Sequence, residues 1–309
     1  IQIFGHNLFQ NRNLSFEPSV NLATPANYRL GPGDEVIIDI WGASENTIRQ
    51  TISPEGSIQV KDLGPVYLNG MTVKEANAYL QRELSKIYSG IGGGDPNSQI
   101  RLTLGDIRTI QIHIMGEVTV PGTYTLSAFS TVFHALYRAG GVNAIGSLRN
   151  VKVMRGGKQM AALDVYDYIL KGKFNDDIRL MDGDVIIVPP YDCLVNISGN
   201  VKRPMFYEMK SSESAATLLH YAGGFTGDAY NKTIRLMRKS GRERQIYNVD
   251  DKDFGSFNLA DGDSVVVGAV LDRFENKLEI KGAVYREGLY ELSRSEERRV
   301  GKECLRLCR

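Results

Sequence analysis

Apolar and polar residues alternate in short runs along most of this chain, and the runs predict strands. Ile112, Ile114, Gly116, Val118 and Val120 fall on one side of an extended segment; Gln111, His113, Glu117 and Thr119 fall on the other. That period of two belongs to a half-buried strand. "VIIDIWG", "TISPEGSIQV" and "NVKVMR" read the same way, with Pro54-Glu55-Gly56 at the tip of a strand–turn–strand unit. Helical spacing is rarer. In "MTVKEANAYLQRELSKIY", Val73, Ala76, Leu80, Leu84 and Ile87 share a face, and Thr72 and Glu75 have capping-box spacing. A shorter helix is predicted after Ser130 or Thr131, with Val132, Leu136 and Ala139 at helical spacing. Gly140, the first of a glycine pair, suits a left-handed residue just past its end.

The pattern repeats. "IMGEVTVPGTYTL" at 114–126 returns 83 residues later as "ISGNVKRPMFYEM", and 83 later again as "IKGAVYREGLYEL". Gly116, Gly199 and Gly282 align, and so do Tyr124, Tyr207 and Tyr290; Gly140-Gly141 aligns with Gly223-Gly224. A closing phrase, Leu-x-x-Gly-Asp before a β-branched run, occurs at Gly33-Asp34, Gly183-Asp184 and Gly262-Asp263. Its last interval is 79, which reads as a loop deletion of four residues. Pro121-Gly122 suits the centre of a type II turn; Pro204-Met205 implies a different turn type. Each unit thus reads as strand, turn, strand, helix, strand and closing strand. The fold class is α+β: small mixed-sheet units in series, each packing one helix. A tight turn suffices to explain the three Asp residues, and a shared metal or catalytic role for them is set aside.

The expected division is an N-terminal arm or linker at 1–26, a first domain at 27–108, one repeat module at 109–190, a second at 191–270, and the start of a third at 278–292. The stretch 293–309, with six basic and three acidic residues and both Cys304 and Cys308, follows a strand-like phrase without a turn signal. It reads as a non-native tail; the alternative is a basic tail on a membrane surface. The chain opens on Ile1, and an upstream segment, a signal peptide or lipid-anchor site, is expected before it.

Composition narrows little. Of 309 residues, 37 are basic and 36 acidic, a net charge of +1 that supplies no general pull toward nucleic acid. No apolar run approaches the roughly 18–20 residues of a membrane-spanning helix. The four histidines and three cysteines have no metal-ligand spacing, and no nucleophile elbow or phosphate loop is present. Position 83 past His134 is Thr217, so a repeated ligand site is unsupported. "DDKDFGSFN" fails the calcium-loop pattern. No cofactor or metal is expected. Trp41 and the repeated tyrosines could stack on sugar rings, and Arg242 and Arg244 could attract an acidic glycan. For each of these, packing or a solvated hairpin tip is the plainer reading.

"NYRLGPGDEVIIDIWG…ISPEGSIQVKDLGPVYLNGMTVKEA" closely resembles the export domain of outer-membrane polysaccharide export proteins. The two units after it resemble SLBB modules, of β-grasp type. The resemblance implies a non-catalytic subunit of a homo-oligomeric ring in the periplasm and outer membrane. It also implies an exported polysaccharide as cargo, an inner-membrane copolymerase or tyrosine kinase as partner, and the tandem β-grasp order as the fold. The alternative is a periplasmic or surface glycan-binding adaptor with no pore of its own.

Overall fold

A computed structural model describes residues 2–9, 24–42, 45–86, 89–92, 97–173 and 177–291. The predicted tail and most of the arm lie outside the described residues. In the first unit, β1 (Glu35–Gly42) is the centre of a three-stranded antiparallel sheet between β2 (Asn46–Thr51) and β5 (Ser98–Leu104). Val36, Ile38 and Ile40 point into the core, as the alternation predicts. β3 (Ser57–Val60) and β4 (Gly64–Tyr67) form a hairpin. The helix α1 (Val73–Leu84) opens on the predicted capping box: Glu75 N–H donates to Thr72 Oγ1 at 3.3 Å, and Thr72 N–H donates to the Glu75 carboxylate at 2.8 Å. Ala76, Leu80 and Leu84 are its buried stripe. A four-residue helix, α2 (Ser89–Gly92), leads toward β5.

The first module contains β6 (Thr109–Gly116), β7 (Gly122–Ser127), α3 (Val132–Arg138), β8 (Val151–Arg155), β9 (Lys158–Leu163), α4 (Val165–Lys171) and β10 (Val185–Val188). Its sheet order is β7-β6-β10-β8-β9, with β10 parallel to β6 and every other pair antiparallel. The second module contains β11 (Leu194–Gly199), β12 (Met205–Glu208), α5 (Ala215–Tyr221), β13 (Thr233–Ser240), β14 (Glu243–Asp250) and β15 (Ser264–Val267). Its order, β12-β11-β15-β13-β14, is the same, again with one parallel pair at its centre. The duplicated sequence therefore folds twice in one topology.

The repeated glycines at the end of the opening strand show why. Gly116 and Gly199 have φ of 87° and 82°, and a Cβ on either would lie 2.2 or 2.1 Å from the carbonyl oxygen of Val188 or Val267 on the parallel strand. Only glycine allows both that conformation and that approach. The repeated tyrosine then locks the connection. Tyr124 Oη donates to Val120 O at 2.6 Å, Tyr207 Oη to Arg203 O at 2.9 Å and Tyr290 Oη to Arg286 O at 2.9 Å. Both module helices end as predicted. Gly140 N–H donates to Tyr137 O and Gly141 N–H to Leu136 O; Gly223 and Gly224 repeat this to His220 and Leu219.

Three expectations are corrected. Pro121-Gly122 does not centre a type II turn: Gly122, at φ 158°, opens β7 and pairs with Ile114, and the left-handed residue of the connection is Gly116. The position after Pro204 is likewise a strand start, which Met205 fills readily. The four-residue drift is not one deletion. Val151 and Ile234 are 83 apart, Leu163 and Val249 are 86 apart, and Leu180 and Leu259 are 79 apart. The second module has a longer β13–β14 hairpin, and a single 3-10 turn (Asp251–Asp253) stands where the first has α4. Finally, the stretch between the strand that follows the helix and the closing strand, for which no element is predicted, holds β9 and α4, whose seven helical residues are too few for a clear period.

The third copy is a lone hairpin, β16 (Lys277–Ile280) with β17 (Gly288–Glu291). Gly282 keeps a positive φ of 107°, but a Cβ there would meet nothing, because no parallel strand lies beside it among the described residues.

Candidate functional site

The repeated Gly-Asp phrase makes one device three times. In each, a chain reversal closes with the Asp N–H donating at 3.1 Å to the carbonyl three residues earlier: Gly31, Met181 or Ala260. The carboxylate folds back onto the N–H of that same residue at 2.8–2.9 Å. Asp34, Asp184 and Asp263 are fully buried, at 0%, 0% and 1% exposure, so each needs a counter-charge. Arg155 grips Asp184 side-on through Nε and Nη2, both at 2.7 Å; Arg238 grips Asp263 at 2.9 and 2.7 Å. These bonds raise the pKa of both guanidinium groups. Asp34 instead takes Arg108 Nη1 at 2.6 Å, the Arg108 N–H at 3.0 Å and the Tyr28 hydroxyl at 2.7–2.8 Å. Burial, then the carboxylate, pushes the Tyr28 pKa upward. The sequence reading missed the arginines, although Arg155 and Arg238 are themselves 83 apart.

A second charged cluster joins the two modules. Arg149, buried, lies against Tyr166 of the first module and Tyr221 of the second, 4.6 and 5.4 Å from their ring centres. Its guanidinium donates to Asp164 at 3.0–3.1 Å on one side. On the other it donates to Glu213 at 2.8 Å and to Glu208 O at 3.0 Å. Burial works against the Arg149 charge, but its bonds to Glu213 and Asp164 outweigh that and raise its pKa. Burial also opposes the Glu213 charge, and Arg149 and Tyr221 overcome it, so its pKa falls. The Glu208 carboxylate reaches back across the junction to Ser147 Oγ and to the Leu148 N–H, the latter at 2.9 Å; burial raises its pKa. Lys210 bonds Asp164 at 2.6 Å. A cleft of about 890 Å³ opens beside this cluster, lined by Lys152, Asp167, Asp192, Lys210 and Asp261 among others.

The arm belongs to the same junction. Phe4 N–H donates to Phe206 O at 2.9 Å and Phe206 N–H to Gln2 O at 3.0 Å, so Gln2, Ile3 and Phe4 add an extended segment to β12. The Phe4 ring packs 5.2 Å from both Tyr166 and Tyr207, one ring from each module. Phe9 sits over Gly141. Burial lowers the pKa of His6 to about 4. Low periodicity at 1–26 concealed these anchors, since a docking segment need not repeat.

The sugar-contact candidates are dispersed. Trp41 is partly exposed on the first sheet, whereas Arg242 and Arg244 are exposed at the tip of the β13–β14 hairpin. Tyr207 is wholly buried and Tyr124 packs against the core. His134 and Thr217 do the same local job: Nδ1 of one and Oγ1 of the other accept from the N–H that precedes the helix, at 2.9 and 3.5 Å. Among the described residues no group of three or more His, Cys, Asp or Glu could hold a metal ion, and no helix is long and apolar enough to cross a membrane.

Comparison with known proteins agrees with this layout. Residues 22–92 match the family model described as polysaccharide biosynthesis/export protein, and residues 111–188 and 194–247 match two models of the SLBB domain. Two Escherichia coli sequences, each named polysialic acid transport protein KpsD, are 25% identical over 282 residues, 91% of this chain and 48% of theirs. The chain thus spans about half the length of the curated relatives it matches. It carries an export domain followed by two SLBB domains, as the resemblance implied.

Proposed function

We propose that this chain is part of a non-catalytic subunit for polysaccharide export across the periplasm and outer membrane, acting as a homo-oligomeric ring. The observation that carries the reading is the domain order: an export domain and then two modules of one topology, bonded to each other through Arg149. A hydrated polymer loses its hydrogen bonds in hydrocarbon, at several kcal/mol for each polar group, so it needs a wet passage. Stacked modules supply a wall for one. In this reading the export domain covers 27–108, the modules 109–190 and 191–270, and the start of a third 278–292. Cargo and a copolymerase are the partners, and Trp41, Arg242 and Arg244 are the residues offered to cargo.

The test is deletion of the gene and complementation by the full-length protein, with surface polysaccharide and particle mass both measured. Lost surface polymer with intracellular accumulation, together with a purified multi-subunit particle, is the expected result. A strictly monomeric protein whose loss leaves export unchanged overturns it and favours a glycan-binding adaptor.

A further inference from the structure

The junction between the modules has a counterpart one repeat further on. Ser147 N–H donates to Pro189 O and Tyr230 N–H to Gly268 O, both at 2.8 Å. Tyr191 N–H donates to Ile145 O and Val270 N–H to Asp228 O, both at 2.9 Å. Gly146 bridges Pro190 as Ala229 bridges Ala269. Tyr230, Asn231 and Lys232 therefore occupy the places of Ser147, Leu148 and Arg149. Val249 pairs with Ile234 as Leu163 pairs with Val151, so Asp250 stands where Asp164 stands. Lys232 holds the adjoining Asp251 at 3.0 Å.

The opposite half of the junction recurs too. Glu208 ends β12 opposite Leu194, and Glu291 ends β17 opposite Lys277, each 83 residues on. The difference is cover. Leu148 and Glu208 are buried, while Asn231, Lys232 and Glu291 are exposed. Tyr230, Val270 and Leu271 present apolar surface beside them, 46–68% exposed, next to a groove of about 420 Å³.

We propose that this face of the second module, Tyr230–Lys232 with Gly268–Val270, is the docking surface for the 277–291 hairpin of the same chain. The Glu291 carboxylate accepts the Asn231 N–H, as Glu208 accepts that of Leu148, and Lys232 takes the part of Arg149. The substitutions set its strength. An ammonium replaces a planar guanidinium that bonds two carboxylates at once, and Tyr230 lacks the short hydroxyl reach of Ser147. The second junction is thus the weaker of the two. The inference rests on reading 278–292 as the opening of a third module. Export is not its readout, so a negative result leaves the proposed transport role standing.

The test uses the full-length protein with Cys193 and any other native cysteine changed to Ser. Asn231→Cys with Glu291→Cys, both at exposed sites, is expected to form a reducible disulfide within one chain, seen as a shifted monomer band. No disulfide overturns the proposal; a disulfide only between chains overturns it and assigns the face to a second copy. As a second measure, Lys232→Glu and Glu291→Lys should each speed tryptic cleavage at Arg273 about fivefold, and the charge-swapped pair should return it to within about twofold. Single reversals without effect, or a double variant as fast as the sum, count against it.

Discussion

The first and second modules share a sheet order, a helix ending and an Asp–Arg lock, yet their outer ends have opposite environments. At the end of the first, Leu148 is buried and Arg149 is held between two modules; at the end of the second, Asn231 and Lys232 face solvent. Gly141 is covered by Phe9, whereas among the described residues nothing lies over Gly224. The internal devices keep their residues from copy to copy because each closes within one module. The surface positions diverge because each answers to a different neighbour. Parts kept through the repeat therefore report on folding, and parts that change report on assembly.

The largest expected effect separates the three copies of the opening glycine. Gly116→Ala and Gly199→Ala force a Cβ into a carbonyl oxygen at a positive φ and should each cost about 3–5 kcal/mol, read by urea denaturation. Gly282→Ala meets only the backbone penalty and should cost about 1 kcal/mol. Equal losses at all three would mean that the parallel strand is not the cause.

Next come the charges. Removing a buried junction partner leaves the others unpaired, so Arg149→Ala should destabilise by about 3 kcal/mol and split one calorimetric transition into two. Lys232→Ala, its exposed counterpart, should leave the urea midpoint unchanged. A pH series sharpens the same contrast from the arm. The His6 pKa is near 4 in the folded protein and near 6.5 unfolded, so the unfolded chain binds the extra proton between those values. Stability is full above about pH 6.5 and falls as pH drops toward 4, by about 3 kcal/mol at most. His6→Leu should flatten that decline in a thermal-melt series. The smallest effect is expected at the hairpin tip: Arg242→Ala with Arg244→Ala should leave stability within about 0.5 kcal/mol and alter only retention of an acidic glycan in a binding assay.

Much of the site was legible in advance. The capping box of α1, the double-glycine helix endings and the packing role of Tyr207 follow from spacing, because each is satisfied within a few residues or by one apolar face. The partners of Asp184 and Asp263 could have been read from the repeat, since Arg155 and Arg238 keep its period. Arg149 could not: its carboxylates come from Asp164 and Glu213, which are distant in sequence and on different modules.

By itself the sequence determined most of the strands, the helices α1, α3 and α5, the duplication and the glycines that each copy needs. These depend on period, cap and turn, and local sterics enforce them at every residue. Only the tertiary structure decided that the two centres are parallel strand pairs, that Arg149 fastens one module to the next, and that Phe4 reaches both. Such contacts arise where faces meet after folding, and a buried charge is indistinguishable in the sequence from one left in water until its neighbours are in place.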